Sequence, residues 1–303
     1  MRGASKECGA ITLDLLLRAG VIVEVDDGSW ELAKNWESRR IYLYGDAKTI
    51  ENMTKFVRDM QDCRISYTHA NIQLEVFLKA LAVVMDAPGD WHTGLNMLQS
   101  IYNIYYYGFL DQFQDLLRWQ RVTKDVRSCY FQAARLVTFV SDELIRFFLH
   151  QFIAEREVTV VDKQCNDSST VTIEFMEFLE KLKGSDDKWI ATCAKFLKIS
   201  CNFLEFVNAY RLGDAVCVEY GYQKYASVWE ALGQSKYVKI FYSQQETLYR
   251  DFPFSRLQEM RLNRFVCRHH GSTGKRCVAQ DEFLEHGNRF YSAFPIPKML
   301  QSF

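Results

Sequence analysis

Three carboxylates have the setting for chemistry. Asp46 follows the apolar run Ile41-Tyr42-Leu43-Tyr44-Gly45, Asp90 follows Leu81–Met85 and the breaker Ala87-Pro88-Gly89, and Glu285 falls in Asp281-Glu282-Phe283-Leu284-Glu285. Acids that end parallel strands project at the carboxyl edge of a sheet, where ligands commonly bind. Carboxylates from two strands and one helix can hold two divalent ions about 4 Å apart, activating a water or hydroxyl and stabilising a leaving oxygen. Hard oxygen ligands suit Mg²⁺, or Mn²⁺ in its place. His92 follows Asp90 by two; in an extended segment both would point the same way and the imidazole could orient the acid or a phosphate. The plainer alternatives are a helix-capping acid and a histidine packed under Trp91.

A second cluster lies near the C-terminus. Arg261, Arg264, Arg268, Lys275 and Arg276 form a basic segment around the loop Gly271-Ser272-Thr273-Gly274, suited to nucleic-acid phosphates. Cys267, His269, His270 and Cys277 are zinc-competent residue types, but their spacing matches no standard finger, and zinc is not expected there. Tyr102, Tyr105, Tyr106 and Tyr107 could stack on bases; beside Ile101 and Ile104 they read more simply as core.

Elements must place these groups. The region 39–92 reads as strand, helix, strand, a βαβ-like pattern for parallel pairing, with Ile50, Met53, Phe56, Val57 and Met60 on one face of a helix over 49–61. A second helix covers about 70–81. Before it, 10–19 reads as a helix closed by Gly20, and 21–33 as a hairpin turning at Asp26-Asp27-Gly28. From 93 to about 250 the apolar residues recur at three and four, as in Phe196, Ile199, Phe203, Phe206 and Tyr210. After the basic segment, 278–288 reads as the start of an acidic helix. Four parts follow: an N-terminal helix and hairpin (1–38), a first part of an α/β core (39–92), a helical insertion (93–250), and a basic segment with the rest of the core (251–303).

Composition bounds the classes. With 48% apolar and 25% charged residues the chain is globular, and only 4 Pro and 15 Gly against 22 Phe and 16 Tyr favour long helices on a thick core. Lys+Arg 37 against Asp+Glu 38 gives a net charge near −1, so any nucleic acid must be held by a local basic patch. No apolar run has membrane-span length, and no secretory signal is read. Nine Cys without a CxxC pair argue against a secreted disulfide framework; reduced thiols in the nucleus or cytoplasm are expected. The sequence holds no Gly-x-Ser-x-Gly elbow, P-loop or Gly-x-Gly-x-x-Gly fingerprint, which removes the usual support for hydrolase, nucleotide-switch and dehydrogenase readings.

The blocks Gly45-Asp46-Ala47-Lys48-Thr49, Gly89-Asp90-Trp91-His92-Thr93-Gly94-Leu95-Asn96 and Asp281 to Asn288 resemble, in order, those of an uncharacterised domain-of-unknown-function family in transposon-derived proteins of invertebrates and fungi. The resemblance implies a ribonuclease-H-like (DDE-type) transposase core: a small sheet interrupted by a large all-helical insertion, in an α/β fold with a predominantly helical part. It assigns Asp46, Asp90 and Glu285 to the metal site, with His92 beside the second acid. The implied activity is two-metal phosphodiester cleavage or strand transfer on DNA, with a homo-oligomer left open. Ala47 stands where Gln is usual and Lys48 where an apolar residue is, the hairpin of such cores is not read between 47 and 80, and no DNA-binding module is read before residue 39. The alternatives are a domesticated, catalytically inactive DNA- or protein-binding scaffold of the same fold, and a helical interaction protein whose acids are surface caps.

Overall fold

The computed structural model describes residues 11–36, 41–45, 47–61, 72–81, 84–119, 122–159, 168–246, 249–250, 253–268 and 276–282. The described chain is mostly helical and divides into two compact units, Met1–Thr93 with Ser235–Phe303, and Gly94–Gln234.

In the first unit, helix α1 (residues 11–18) leads through Gly20 into the hairpin β1 (Ile22–Glu24) and β2 (Trp30–Leu32), paired Ile22↔Leu32 to Glu24↔Trp30. Strands β3 (Ile41–Gly45) and β4 (Val84–Pro88) are parallel, in register from Ile41↔Val84 to Gly45↔Pro88. Helices α2 (Ala47–Gln61) and α3 (Leu74–Leu81) lie between them in sequence. Met53, Phe56 and Met60, expected on one helical face, are buried, and Phe56 meets Phe77 edge-on with centroids 6.0 Å apart. Leu13, Leu16, Val21 and Ile22 complete this core.

Two boundaries differ from expectation. Leu81 ends α3 and is buried there, so the second strand begins later, at Val84, and runs to Pro88. Val278 and Ala279 do not begin a helix. They belong to β6 (Arg276–Ala279), which pairs antiparallel with β5 (Phe265–Arg268), and the helical turn starts only at Gln280. The partner strand outweighs the local helical signal, because a short apolar run is satisfied by either structure. Helix α10 (Ser235–Glu246), expected in the insertion, and α11 (Phe254–Leu262) also fall in this unit; Lys236 reaches Glu51 of α2 at 3.3 Å.

Among the described residues the strands form two-stranded pairs, one of them parallel, and not a single larger sheet. The parallel pair agrees with the βαβ reading; among the described residues no larger sheet of the ribonuclease-H-like kind is formed.

Among the described residues the regular elements of the second unit are all helices. It takes most of α4 (Asp90–Tyr105), a π-type turn at 106–110, α5 (Asp111–Leu116), α6 (Tyr130–Thr159), α7 (Ser168–Leu182), α8 (Lys188–Leu212) and α9 (Ala215–Ala231). Residues 160–167 lie outside the described residues, and α7 begins at Ser168. Asp187 caps α8 through the Trp189 and Ile190 amides, and Asp214 caps α9 through that of Cys217. Ser141 of α6 bonds Ser200 of α8 at 2.9 Å, satisfying two buried hydroxyls. Tyr102 and Tyr105 are core residues here and not base-stacking platforms. Burial pushes the Tyr105 phenol up to about 12 and raises that of Tyr102 further, so neither ionises near neutrality. Tyr107 is exposed.

Helices α8 and α9 meet at Gly221. A Cβ there would lie 2.8 Å from Cδ2 of Phe206, a fully buried ring flanked by Tyr210 and Tyr222. Gly221→Ala removes a helix-interior glycine, a gain of about 1 kcal/mol. Overpacking against a ring with no room to turn costs about 1–3 kcal/mol. The variant is expected to melt below the parent in thermal denaturation; a higher midpoint would show that Phe206 can move aside.

Candidate functional site

Of the groups singled out by sequence, Asp90, His92 and Arg264 come together at the first turn of α4, within the first unit. Parallel pairing brings Gly45 beside Pro88, so Asp46 and Gly89 each follow directly on a paired strand end. Asp46 and Glu285 lie outside the described residues.

Asp90 is not at a strand end. It is the first residue of α4, because Gly89 turns the chain and its carbonyl accepts the first helical hydrogen bond, from the Thr93 amide at 3.0 Å. The Asp90 carboxylate is 1% exposed and is held by Arg264, whose Nε donates to Oδ2 at 2.8 Å and Nη2 to Oδ1 at 2.7 Å. This is the planar, two-bond match of guanidinium to carboxylate. Arg264, read from sequence as a DNA-phosphate contact, is itself 1% exposed. In the structure its charge is directed inside, to Asp90. Asp90, read from sequence as a metal ligand, is held there by a cation of the chain itself.

His92 also differs from expectation. It sits in the helix and not in an extended segment, so it does not align with Asp90. Its ring is turned to Asp281, with Nδ1 3.0 Å from Oδ2. Against an ionised carboxylate, which only accepts, Nδ1 is the donor of this contact. Trp91 packs edge-on to His92, with centroids 4.8 Å apart.

Asp281 is the residue sequence reasoning missed. It is 3% exposed, and its Oδ1 accepts from the Trp91 amide at 3.2 Å and its Oδ2 from the His92 amide at 2.9 Å. These are two of the amides that open every helix without a partner, and an N-cap side chain normally satisfies them. The N-cap of α4 is Gly89, which has no side chain. Asp281 supplies the missing carboxylate from 189 residues away in sequence, and its charge suits the positive end of the helix. A Cβ on Gly89 would fall 2.1 Å from Asp281 Oδ2, so the glycine is what lets this cap approach. The available signal was Gly89 itself, at a helix start where Ser, Thr, Asp or Asn would be usual.

Both grips come from one element. Arg264 immediately precedes β5 and Asp281 follows β6 by two, so both stand at the open end of the β5–β6 hairpin, where the Gln280 side chain also donates to the Asn263 carbonyl. That end clamps the start of α4 through a salt bridge and a cap.

Comparison with protein-family models, characterised proteins and solved structures returned no match.

At the far end of the hairpin, register sets Cys267 opposite Cys277 and Arg268 opposite Arg276. His269, His270 and Lys275 lie outside the described residues. Arg261, on α11, is partly exposed. Among the described residues no three His, Cys, Asp or Glu side chains converge as a metal site would require, and no helix is long and apolar enough to cross a membrane.

Proposed function

We propose that this chain is a catalytically silent DNA-binding scaffold related to the DDE-type transposase cores that its sequence blocks resemble. The observation that carries this reading is the pair of hydrogen bonds from Arg264 to Asp90. Metal-assisted phosphodiester chemistry needs that carboxylate for a cation, and here a buried guanidinium has taken the cation's place. The β5–β6 hairpin keeps a structural role in holding α4, and the basic residues of the segment that would meet phosphates adjoin its far end in sequence. Arg268 and Arg276 are paired in strand register. Lys275 adjoins Arg276 in sequence.

The test pairs a cleavage assay with a binding titration. With supercoiled plasmid and millimolar Mg²⁺ or Mn²⁺, no nicking above background is expected. Duplex DNA should bind at low salt and weaken steadily as salt rises. The double variant Arg268→Ala/Arg276→Ala is expected to reduce the logarithmic salt slope by roughly 2, one for each phosphate left without its arginine. Metal-dependent nicking abolished by Asp46→Asn would restore the enzymatic reading, with Asp46, Asp90 and Glu285 as ligands. Absence of duplex binding at low salt would remove DNA as the partner.

A further inference from the structure

We propose that helix α6 pairs antiparallel with α6 of a second copy of this chain. The helix carries two stripes. Val137, Val140, Leu144, Phe148 and Phe152 are buried within the second unit. On the other side Arg135, Phe139, Asp142, Arg146, Leu149 and Ile153 recur at alternating intervals of four and three, and all are exposed. That alternation averages about 3.5 residues, the repeat by which one helix lays a seam along another. Phe139 is 40% exposed, Leu149 38% and Ile153 42%, so the seam leaves large apolar side chains in solvent.

The order of residues within the seam selects the occupant. Leu144 marks its midpoint. Asp142 lies two residues before it and Arg146 two after, Phe139 five before and Leu149 five after, Arg135 nine before and Ile153 nine after. A two-fold axis across the helix at that point sets each residue against its mate on the other copy, since such an interface matches i to j and j to i. Asp142 then meets Arg146 of the second copy, Phe139 meets its Leu149, and Arg135 meets its Ile153, and each layer occurs twice. The central layers join opposite charges and the next bury apolar side chains. At the outer ones the arginine stem covers isoleucine while its head stays in water. Parallel pairing would instead set Asp142 on Asp142 and Arg146 on Arg146, so charge chooses the antiparallel register. A partner unlike this chain would have no need of a seam that mirrors itself. Within one copy Arg146 meets Glu143 at 3.4 Å with the two side chains 72% and 48% exposed, a surface contact loose enough to re-aim.

The seam from Arg135 to Ile153 takes up about 27 Å of helix. With charged layers at its centre and few apolar ones it is a small interface, and the dimer is correspondingly weak and concentration-dependent. Every residue it uses belongs to the second unit and none to the β5–β6 hairpin, so the inference stands whether or not the chain binds DNA.

The test is sedimentation velocity of the full chain across the micromolar range, in reducing buffer and without nucleic acid. The parent should pass from monomer to dimer as concentration rises and stop there, because a two-fold contact closes on itself. Asp142→Arg sets arginine against arginine at both central layers and should raise the dissociation constant at least about tenfold. Arg146→Asp should do the same with acids. The double variant Asp142→Arg/Arg146→Asp reverses both pairs and should return the constant close to the parental one. The substituted positions are exposed, so circular dichroism should be unchanged throughout and loss of the dimer is separable from unfolding. Four outcomes would overturn the proposal. They are a parent that stays monomeric at every concentration, growth beyond the dimer, a dimer indifferent to Asp142→Arg, and single losses that the double variant does not rescue.

Discussion

Arg264→Ala is expected to destabilise the first unit by about 3–5 kcal/mol, the usual cost of leaving one member of a buried ion pair without the other. The Asp90 carboxylate is almost wholly out of solvent and both of its oxygens accept from this one guanidinium. Arg264→Lys should recover only part of the loss, since an ammonium makes a point contact where the guanidinium makes two aligned ones. The double variant Asp90→Leu/Arg264→Met should be far less damaging than Arg264→Ala, because replacing both charges removes the desolvation cost along with the attraction. Urea unfolding followed by circular dichroism measures all three. A loss below about 0.5 kcal/mol for Arg264→Ala, the range of an ordinary surface substitution, would mean that Asp90 is solvated and open to a cation after all.

That pair marks where sequence reading stops. The strands around Asp46 and Asp90, their parallel pairing and the buried face of α2 were legible, because alternation, helical spacing and breakers are local signals. Arg264 was legible only as one cation among several in a basic run. Nothing in spacing distinguishes the arginine that faces inward from Arg261, three residues earlier, which faces outward in part. The contact spans 174 residues and depends on where a hairpin packs. That hairpin was itself hidden, because Cys277-Val278-Ala279 is too short for periodicity to tell strand from helix. The same limit hid the register that pairs Cys267 with Cys277. His92 was placed on the right segment and given the wrong partner, since an extended backbone and a helical first turn direct the residue after Trp91 differently.

The trans-acting cap of α4 yields the second large effect. Gly89→Ala places a methyl 2.1 Å from Asp281 Oδ2 and 2.5 Å from its Cγ, so the carboxylate must leave. The Trp91 and His92 amides then lose their acceptor and Asp281 loses its donors while still buried. A lost cap costs about 0.5–2 kcal/mol and an unsatisfied buried group about 1–3 kcal/mol, so a total of roughly 2–4 kcal/mol is expected. Asp281→Gly should cost less, about 1–2 kcal/mol, because it removes the carboxylate instead of stranding it. The decisive variant exchanges the two residues. Gly89→Asp alone sets two carboxylates against each other in one buried space and should be the most damaging of the set. Gly89→Asp combined with Asp281→Gly clears all three atoms crowding the new Cβ and gives α4 a cap from its own N-cap position, as most helices have. The exchange should therefore be more stable than Gly89→Asp by at least about 2 kcal/mol, within the range of coupling expected for residues in direct contact. Additive losses in this cycle would show that Asp281 does not reach the helix. A strong rescue would establish that a carboxylate near the C-terminal end of the sequence does for α4 what Gly89 cannot.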